Sequence, residues 1–227
     1  MKILCLIIDA VPPRAWRETY AIHRRIWNQC LDRFDVEGYF LYANPNLTSD
    51  YIVEPRRFTV RGDERYDTIL HKTLKAIEVL LRDHDYVIRT NISSLYDFVL
   101  LRRRTLPKEG LYAGHVWSTN GSFVSGSGMI LSRDAAKKLV SPSAALALSS
   151  KDDVAIGQIL RAQGVLAREE PWFCYDYSKG PEQVIVGKYV QYRLRDVKDP
   201  SRVRERAATE HVFAAICRGA ILNTSKD

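Results

Sequence analysis

Two neighbouring carboxylates open the run Asp152-Asp153-Val154-Ala155-Ile156-Gly157. A carboxylate fixed at the start of a helix can act as a general base, taking the proton of a hydroxyl as its oxygen attacks. The same pair suits a purely structural task, because acidic side chains in a first turn gain about 0.3–1 kcal/mol each from the helix dipole. A second chemical stretch is Arg89-Thr90-Asn91-Ile92-Ser93-Ser94, which follows the apolar Tyr86-Val87-Ile88. A strand that stops in such a polar elbow presents its groups where the strands of a helix-alternating sheet open into a crevice. Asn and Ser are equally ordinary turn residues. Asp9 stands directly after the apolar run Ile3 to Ile8. It could accept hydrogen bonds from a nucleobase or ribose, or serve as a capping or loop carboxylate. Gly126 and Gly128, either side of Ser127 in FVSGSGMILS, let a backbone come close to a ligand or to another strand. This segment is neither a P-loop nor a GxGxxG fingerprint.

The elements that must position these groups alternate between strand and helix. Lys2 to Ile8 is an almost continuous apolar run, as expected of a strand covered on both faces. Pro12-Pro13 then enforce a loop and permit a helix start, with the helix expected over Ala15 to Phe34. Strands are expected over Gly38 to Ala43 and, shorter and with Pro55 near its edge, over Tyr51 to Val60. Leu70, Leu74, Ile77 and Leu81 recur at helical spacing and predict a helix over Glu64 to Asp83. Leu95 to Leu101 is expected to be helical, and Gly110 to Trp117 and Phe123 to Ser132 to be strands. Ser132 is expected to cap a short helix over Arg133 to Val140. A small, polar loop over 142–150 precedes a helix running from the Asp pair to Ala162, where Ser150 and Asp153 have the spacing of a capping box. Gly157 inside that helix costs about 1 kcal/mol against Ala, which implies close packing. An apolar helix is expected near Val212 to Ile216. Alternation over the first hundred residues argues an α/β sheet.

At 227 residues and 46% hydrophobic content the chain can bury one large core. Net charge is +7, which suits an anionic ligand or surface, with nucleic acid as the alternative. No helix-turn-helix, zinc-finger or aromatic RNA-binding signature is present, so nucleic acid ranks last. Arginines between Arg193 and Arg206 carry part of the charge; they could steer a diphosphate, but most read more simply as a solvated face. Four scattered cysteines form no CxxC pair and fit a reducing compartment. The apolar start is too short for a signal core or a membrane span, so a cytoplasmic location without a membrane span is expected.

Five segments resemble, in the same order, the β-1,3-glycosyltransferases of the galactosyl-, N-acetylglucosaminyl- and fringe-type group. RETYAIHRRIW from Arg17 looks like that family's R-x-A-I-R-x-T-W helix. YDTILHKTL from Tyr66 looks like its D-x-Y-x-N-L-T-x-K-T helix, with Lys72-Thr73 on the K-T. Asp85 to Ser93 lies where the family runs an apolar strand into D-D-D. SGSGMILS from Ser125 looks like its C-S-G-x-G-Y-V-L-S, and DDVAIG from Asp152 like its E-D-V-Y-V-G. The resemblance covers roughly residues 14 to 163.

The resemblance implies a GT-A fold, an α/β architecture with a mixed central sheet flanked by helices. It implies one glycosyltransferase domain over 1–227, with a nucleotide-binding half (1–95), an acceptor and catalytic half (96–190) and a basic C-terminal tail (191–227). The implied reaction is inverting transfer of a hexosyl or pentosyl group from a nucleotide sugar, UDP-linked in many relatives, to a hydroxyl of a glycan or glycoprotein. Asp153 matches the family's base, and a register slip of one would make it Asp152. The implied donor side comprises Asp9, Ala10, Lys72, Arg89, Thr90, Asn91 and Ser93. The implied acceptor side comprises Gly126, Ser127, Gly128 and Trp172. The chain departs from the family at the metal clamp: Asn91 and Ser93 stand where carboxylates would hold Mn²⁺ or Mg²⁺. Metal binding should therefore be weak, with Arg89 or a tail arginine supplying the positive charge instead. A degenerate protein that binds nucleotide or glycan without turnover is the other expectation this departure raises.

Overall fold

The computed structural model describes residues 1–118, 122–141, 151–171, 173–176, 186–196 and 198–224. In chain order the elements are β1 (Ile3–Ile8), α1 (Arg17–Arg33), β2 (Glu37–Asn44), β3 (Tyr51–Glu54), β4 (Arg57–Arg61), α2 (Thr68–Leu80), β5 (Tyr86–Asn91), β6 (Ser94–Tyr96), α3 (Phe98–Arg102), β7 (Tyr112–Trp117), β8 (Phe123–Ser132), α4 (Arg133–Leu139), α5 (Asp152–Ala162), β9 (Arg168–Glu169), β10 (Cys174–Asp176), β11 (Gln191–Arg193) and α6 (Val203–Thr224). They divide into two compact units, each assembled from separate pieces of chain. Among the described residues no helix is long and apolar enough to cross a membrane.

The first unit comprises Met1–Val11, Val36–Asn91 and Leu106–Glu170. Its eight-stranded sheet runs β3-β4-β2-β1-β5-β8-β7-β9. The β4-β2-β1-β5 centre is parallel, β8 joins β5 antiparallel, and the sheet is therefore mixed. β1 sits in the middle with all six residues buried, which is why it reads as an unbroken apolar run. Cys5 is among them, a small core residue. Leu4, Leu6, Leu41, Phe58, Ile77, Leu80, Leu131 and Ile156 fill the core against α2, α4 and α5. Each such side chain contributes about 1.5–3 kcal/mol on burial.

Several boundaries differ from the sequence reading. The expected single strand over Tyr51 to Val60 is a hairpin, because Pro55-Arg56 form a turn with Arg56 in the left-handed region (φ 59°). Glu64 to Asp67 stay outside α2, since the Glu64 carboxylate is engaged by Lys72 and by the Ala43 N–H. Arg82, at φ 35°, ends the helix side before Asp83. The expected helix over Leu95 to Leu101 begins as a strand, β6, and becomes helical only from Phe98. Ser132 precedes α4 but makes no side-chain cap; its hydroxyl bonds to Asp134 and accepts the Leu111 N–H instead. The 142–150 loop, including Ser150, lies outside the described residues.

The second unit comprises Pro12–Asp35, Ile92–Thr105 and Pro171–Asp227. Its sheet runs β10-β11-β6. Trp27 of α1 is fully buried and donates its indole N–H to the Ile92 carbonyl at 3.1 Å. The ring of Tyr96 lies 6.1–6.4 Å from those of Trp27, Phe98 and Phe173. α1 and α6 are joined by buried polar groups: His23 Nε2 lies 3.2 Å from Thr209 Oγ1 and 3.6 Å from Glu205 Oε1. Arg202 pairs with Glu205 at 3.1 Å and stacks over Trp16, while Arg206 reaches Glu18. The solvated-face reading of the late arginines therefore fails for Arg202, which is buried.

Two outcomes follow from this packing. A methyl group on Gly157 would lie 2.6 Å from Phe123 Cβ and 3.2 Å from its Cα. Gly157→Ala should lower stability in chemical denaturation, because overpacking costs about 1–3 kcal/mol and the helical preference for Ala returns only ~1 kcal/mol. Burial, with help from Arg202 and Arg24, lowers the His23 pKa from 6.5 to about 3. The unfolded chain thus takes up this proton where the folded one does not, and stability falls as pH drops below 6.5, by up to about 1.4 kcal/mol per unit. Glu205 works in the opposite sense: burial raises its carboxyl, so its contribution is present at low pH and lost as pH rises through the folded value. His23→Gln should flatten the fall below pH 6.5 measured by urea unfolding; an unchanged slope would exclude His23 as its source.

Candidate active site

The first unit gathers most of the chemical residues at the ends of β1 and β5, which are adjacent and parallel. Ile8 pairs with Asn91, so Asp9 leaves β1 level with the end of β5. The polar elbow begins later than the sequence suggested. Arg89, Thr90 and Asn91 are strand residues, and the turn is Ile92-Ser93. β8 runs antiparallel along β5, placing Thr90 opposite Gly128 and Arg89 opposite Met129.

Arg89 is 1% exposed and binds three elements together. Its Nη1 donates to the Gly126 carbonyl of β8, and its Nη2 donates to Asp152 Oδ2 at the start of α5. Nη1 also lies 3.5 Å from Asn91 Oδ1. Asp152 is buried with it, and burial raises its carboxyl pKa while the guanidinium pulls the other way. The pair is ionised, because arginine keeps its proton and a neutral Asp152 would leave that charge uncompensated. Gly126 has two roles at once. Its carbonyl accepts from Arg89, and its N–H donates to Asp153 Oδ2 at 3.0 Å. A Cβ there would meet Arg89 Nη1 at 2.8 Å and Asp153 Oδ2 at 3.3 Å, so any larger residue would have to push the Arg89 guanidinium aside. Thr90 Oγ1 donates to the Ser127 carbonyl at 2.9 Å, tying the two strands once more.

Of the two carboxylates, Asp152 is closed on Arg89 and Asp153 is the half-exposed one. Asp153 accepts the Val154 N–H at 2.9 Å through Oδ1 as well as the Gly126 N–H through Oδ2. It stands in the first turn of α5, where the helix dipole favours a negative charge.

A second group surrounds Asp9. Its Oδ1 accepts the Ala10 N–H at 2.8 Å, its Oδ2 accepts the Tyr42 hydroxyl, and its carbonyl accepts Lys72 Nζ at 2.9 Å. Lys72 is 1% exposed and ion-paired to Glu64 at 3.0 Å. Burial lowers its pKa, opposed by Glu64. Tyr42 and Glu64 were not among the residues singled out from sequence. Neither lies in a motif, and only the three-dimensional approach of β2 and the pre-α2 loop reveals them. Ser93 belongs to the second unit, where its carbonyl accepts the Leu194 N–H at 2.9 Å. Trp172 lies outside the described residues.

The residues present do not fit a divalent metal at the elbow. Hard cations take carboxylate and carbonyl oxygens. Asn91 offers one neutral oxygen beside a guanidinium, and among the described residues no three His, Cys, Asp or Glu side chains come together to hold an ion.

No protein-family model matches the chain, and no curated protein matches it in sequence. Solved structures do match. A glycosyltransferase involved in the glycosylation of the major capsid of PBCV-1 superposes with a TM-score of 0.54 at 11% identity, over 93% of this chain and all of that one. The catalytic domain of Drosophila β1,4-galactosyltransferase 7, in complex with xylobiose, gives a lower TM-score of 0.43 at 11% identity, over 90% of this chain and 79% of that one. The fold of this chain is the mixed α/β, GT-A-type glycosyltransferase fold.

The Arg89–Asp152 pair makes a clear prediction. Asp152→Ala leaves a buried charge without its partner and should cost about 3–5 kcal/mol in chemical denaturation. The double variant Arg89→Met/Asp152→Leu should regain much of that loss, since two apolar side chains can replace a buried pair.

Proposed function

We propose that this protein is an inverting glycosyltransferase that moves a hexosyl or pentosyl group from a UDP-linked donor to a hydroxyl of a glycan or glycoprotein. The observation that carries the reading is Asp153: a half-exposed carboxylate in the first turn of α5, steadied by the Gly126 N–H at 3.0 Å, in a chain with the GT-A-type fold. Asp152 is the weaker choice for the base because its carboxylate is buried against Arg89. In the reaction the acceptor oxygen attacks the anomeric carbon as Asp153 takes its proton. The new glycosidic bond forms while the bond to the diphosphate breaks, and the diphosphate leaves with the electron pair. Asp9, Ala10, Thr90 and Asn91 supply the donor side, at the ends of the parallel strands where ligands of such sheets bind. Lys72 and Arg89 act there chiefly by holding other groups, since their hydrogen bonds are made within the protein. Gly126, Ser127 and Gly128 form the edge of the acceptor side. Ser93 and Trp172, expected on the donor and acceptor sides, gain no further support from the geometry.

A second reading is a protein that binds nucleotide or glycan without turnover. It is favoured by the neutral Asn91 at the place where the resemblance calls for a metal-binding carboxylate. A panel of nucleotide sugars, with and without a mixture of acceptor glycans, separates the two through release of free nucleotide. Under the enzyme reading, Asp153→Asn should slow release by about 10²–10⁴-fold while nucleotide binding measured by calorimetry persists. Binding with no release by the parent protein would favour the second reading, and full activity in Asp153→Asn would overturn the assignment of the base.

A further inference from the structure

We propose that the end of β5 works without a divalent cation, its place held by the Arg89 guanidinium, which is spent on contacts within the protein. The nucleotide part of this inference rests on the glycosyltransferase reading; the metal part does not.

The place is already taken. Arg89 is 1% exposed and joins its own strand to the Gly126 carbonyl of β8 and to Asp152 of α5, a bridging task that a bound ion would otherwise perform. The backbone is shaped around it, since even a methyl group at Gly126 would come within 2.8 Å of Nη1. A cation on Asn91 Oδ1 would sit beside a guanidinium that is itself only 3.5 Å from that oxygen, and the two charges would repel. Asp152 is closed on Arg89. Asp153 and Asp9 each accept a hydrogen bond on both oxygens, which holds their side chains in place, and among the described residues no three His, Cys, Asp or Glu side chains come together to hold an ion. Magnesium-type ions use one or two carboxylates beside substrate phosphates, and the one neutral oxygen nearest Arg89 is a poor start for such a site. Arg89 cannot swing out to follow a phosphate without leaving Asp152 buried and unpaired, so the charge is fixed in place.

Two titrations decide the point. In the first, Mn²⁺ alone is added to the metal-stripped protein and free Mn²⁺ is followed by electron paramagnetic resonance. The expected result is no uptake that depends on Asn91. One equivalent bound by the parent and lost in Asn91→Ala would overturn the proposal, whereas uptake unaffected by Asn91→Ala lies elsewhere and leaves the elbow metal-free. In the second, UDP is titrated calorimetrically in EDTA and again in Mn²⁺. Equal affinity supports the proposal, and a tenfold or greater tightening by Mn²⁺ that Asn91→Ala removes overturns it (tenfold being about 1.4 kcal/mol). Failure of the glycosyltransferase reading shows separately, as no UDP bound in either buffer, and the Mn²⁺ titration then still answers the metal question.

Discussion

A guanidinium buried in a sheet is costly unless its charge and its N–H groups are met. Much of the first unit answers that demand. Burying an unpaired ion costs several kcal/mol, so Arg89 requires an acidic partner, and the partner lies 63 residues away in Asp152. Meeting it fixes where α5 begins relative to β8. It also fixes why residue 126 carries no side chain, and why the following carboxylate, Asp153, comes to rest on a backbone N–H. The Nε of Arg89 finds no acceptor, a residual cost that the sheet bears. The candidate base is thus positioned through Gly126, whose carbonyl Arg89 holds and whose N–H the base accepts.

Asp9 repeats the arrangement on the adjacent strand. A buried Lys72 is paired with Glu64, holds the Asp9 carbonyl and so sets the direction in which the chain leaves β1. In both groups the cation is used inside the protein.

How much of this was legible in the sequence depended on how local each determinant is. β1 could be read because burial on both faces leaves a continuous apolar run. β8 and α5 could be read because glycines and a carboxylate pair mark their positions. Gly157 was read as a close contact and is one, against Phe123. The hairpin at Pro55 was read as one strand because its polar break, Glu54-Pro55-Arg56-Arg57, is short and has apolar residues on both sides. Arg89 was placed in an elbow because a charge in a strand is uncommon, and nothing nearby announces Asp152 as its partner. Tyr42 and Glu64 carry no local signal, since their roles arise only when β2 and the loop before α2 close on Asp9 and Lys72. The order of the resembling segments pointed to the fold. The commitments of individual side chains needed coordinates.

The discontinuity of the two units has a consequence for biosynthesis. β1 is made first, yet one of its two neighbours, β5, begins only at Tyr86. At about 5–20 residues per second the intervening chain takes on the order of ten seconds to emerge. Through that interval the segment Ile-Leu-Cys-Leu-Ile-Ile has no complete sheet to enter, and it has the apolar, uncharged character of a self-associating strand. β8 and α5, which complete the setting of Arg89, come later still. Until most of the first unit has been translated this strand lacks the partners that bury it, so soluble yield should respond to translation rate and temperature more than the size of the finished core would suggest.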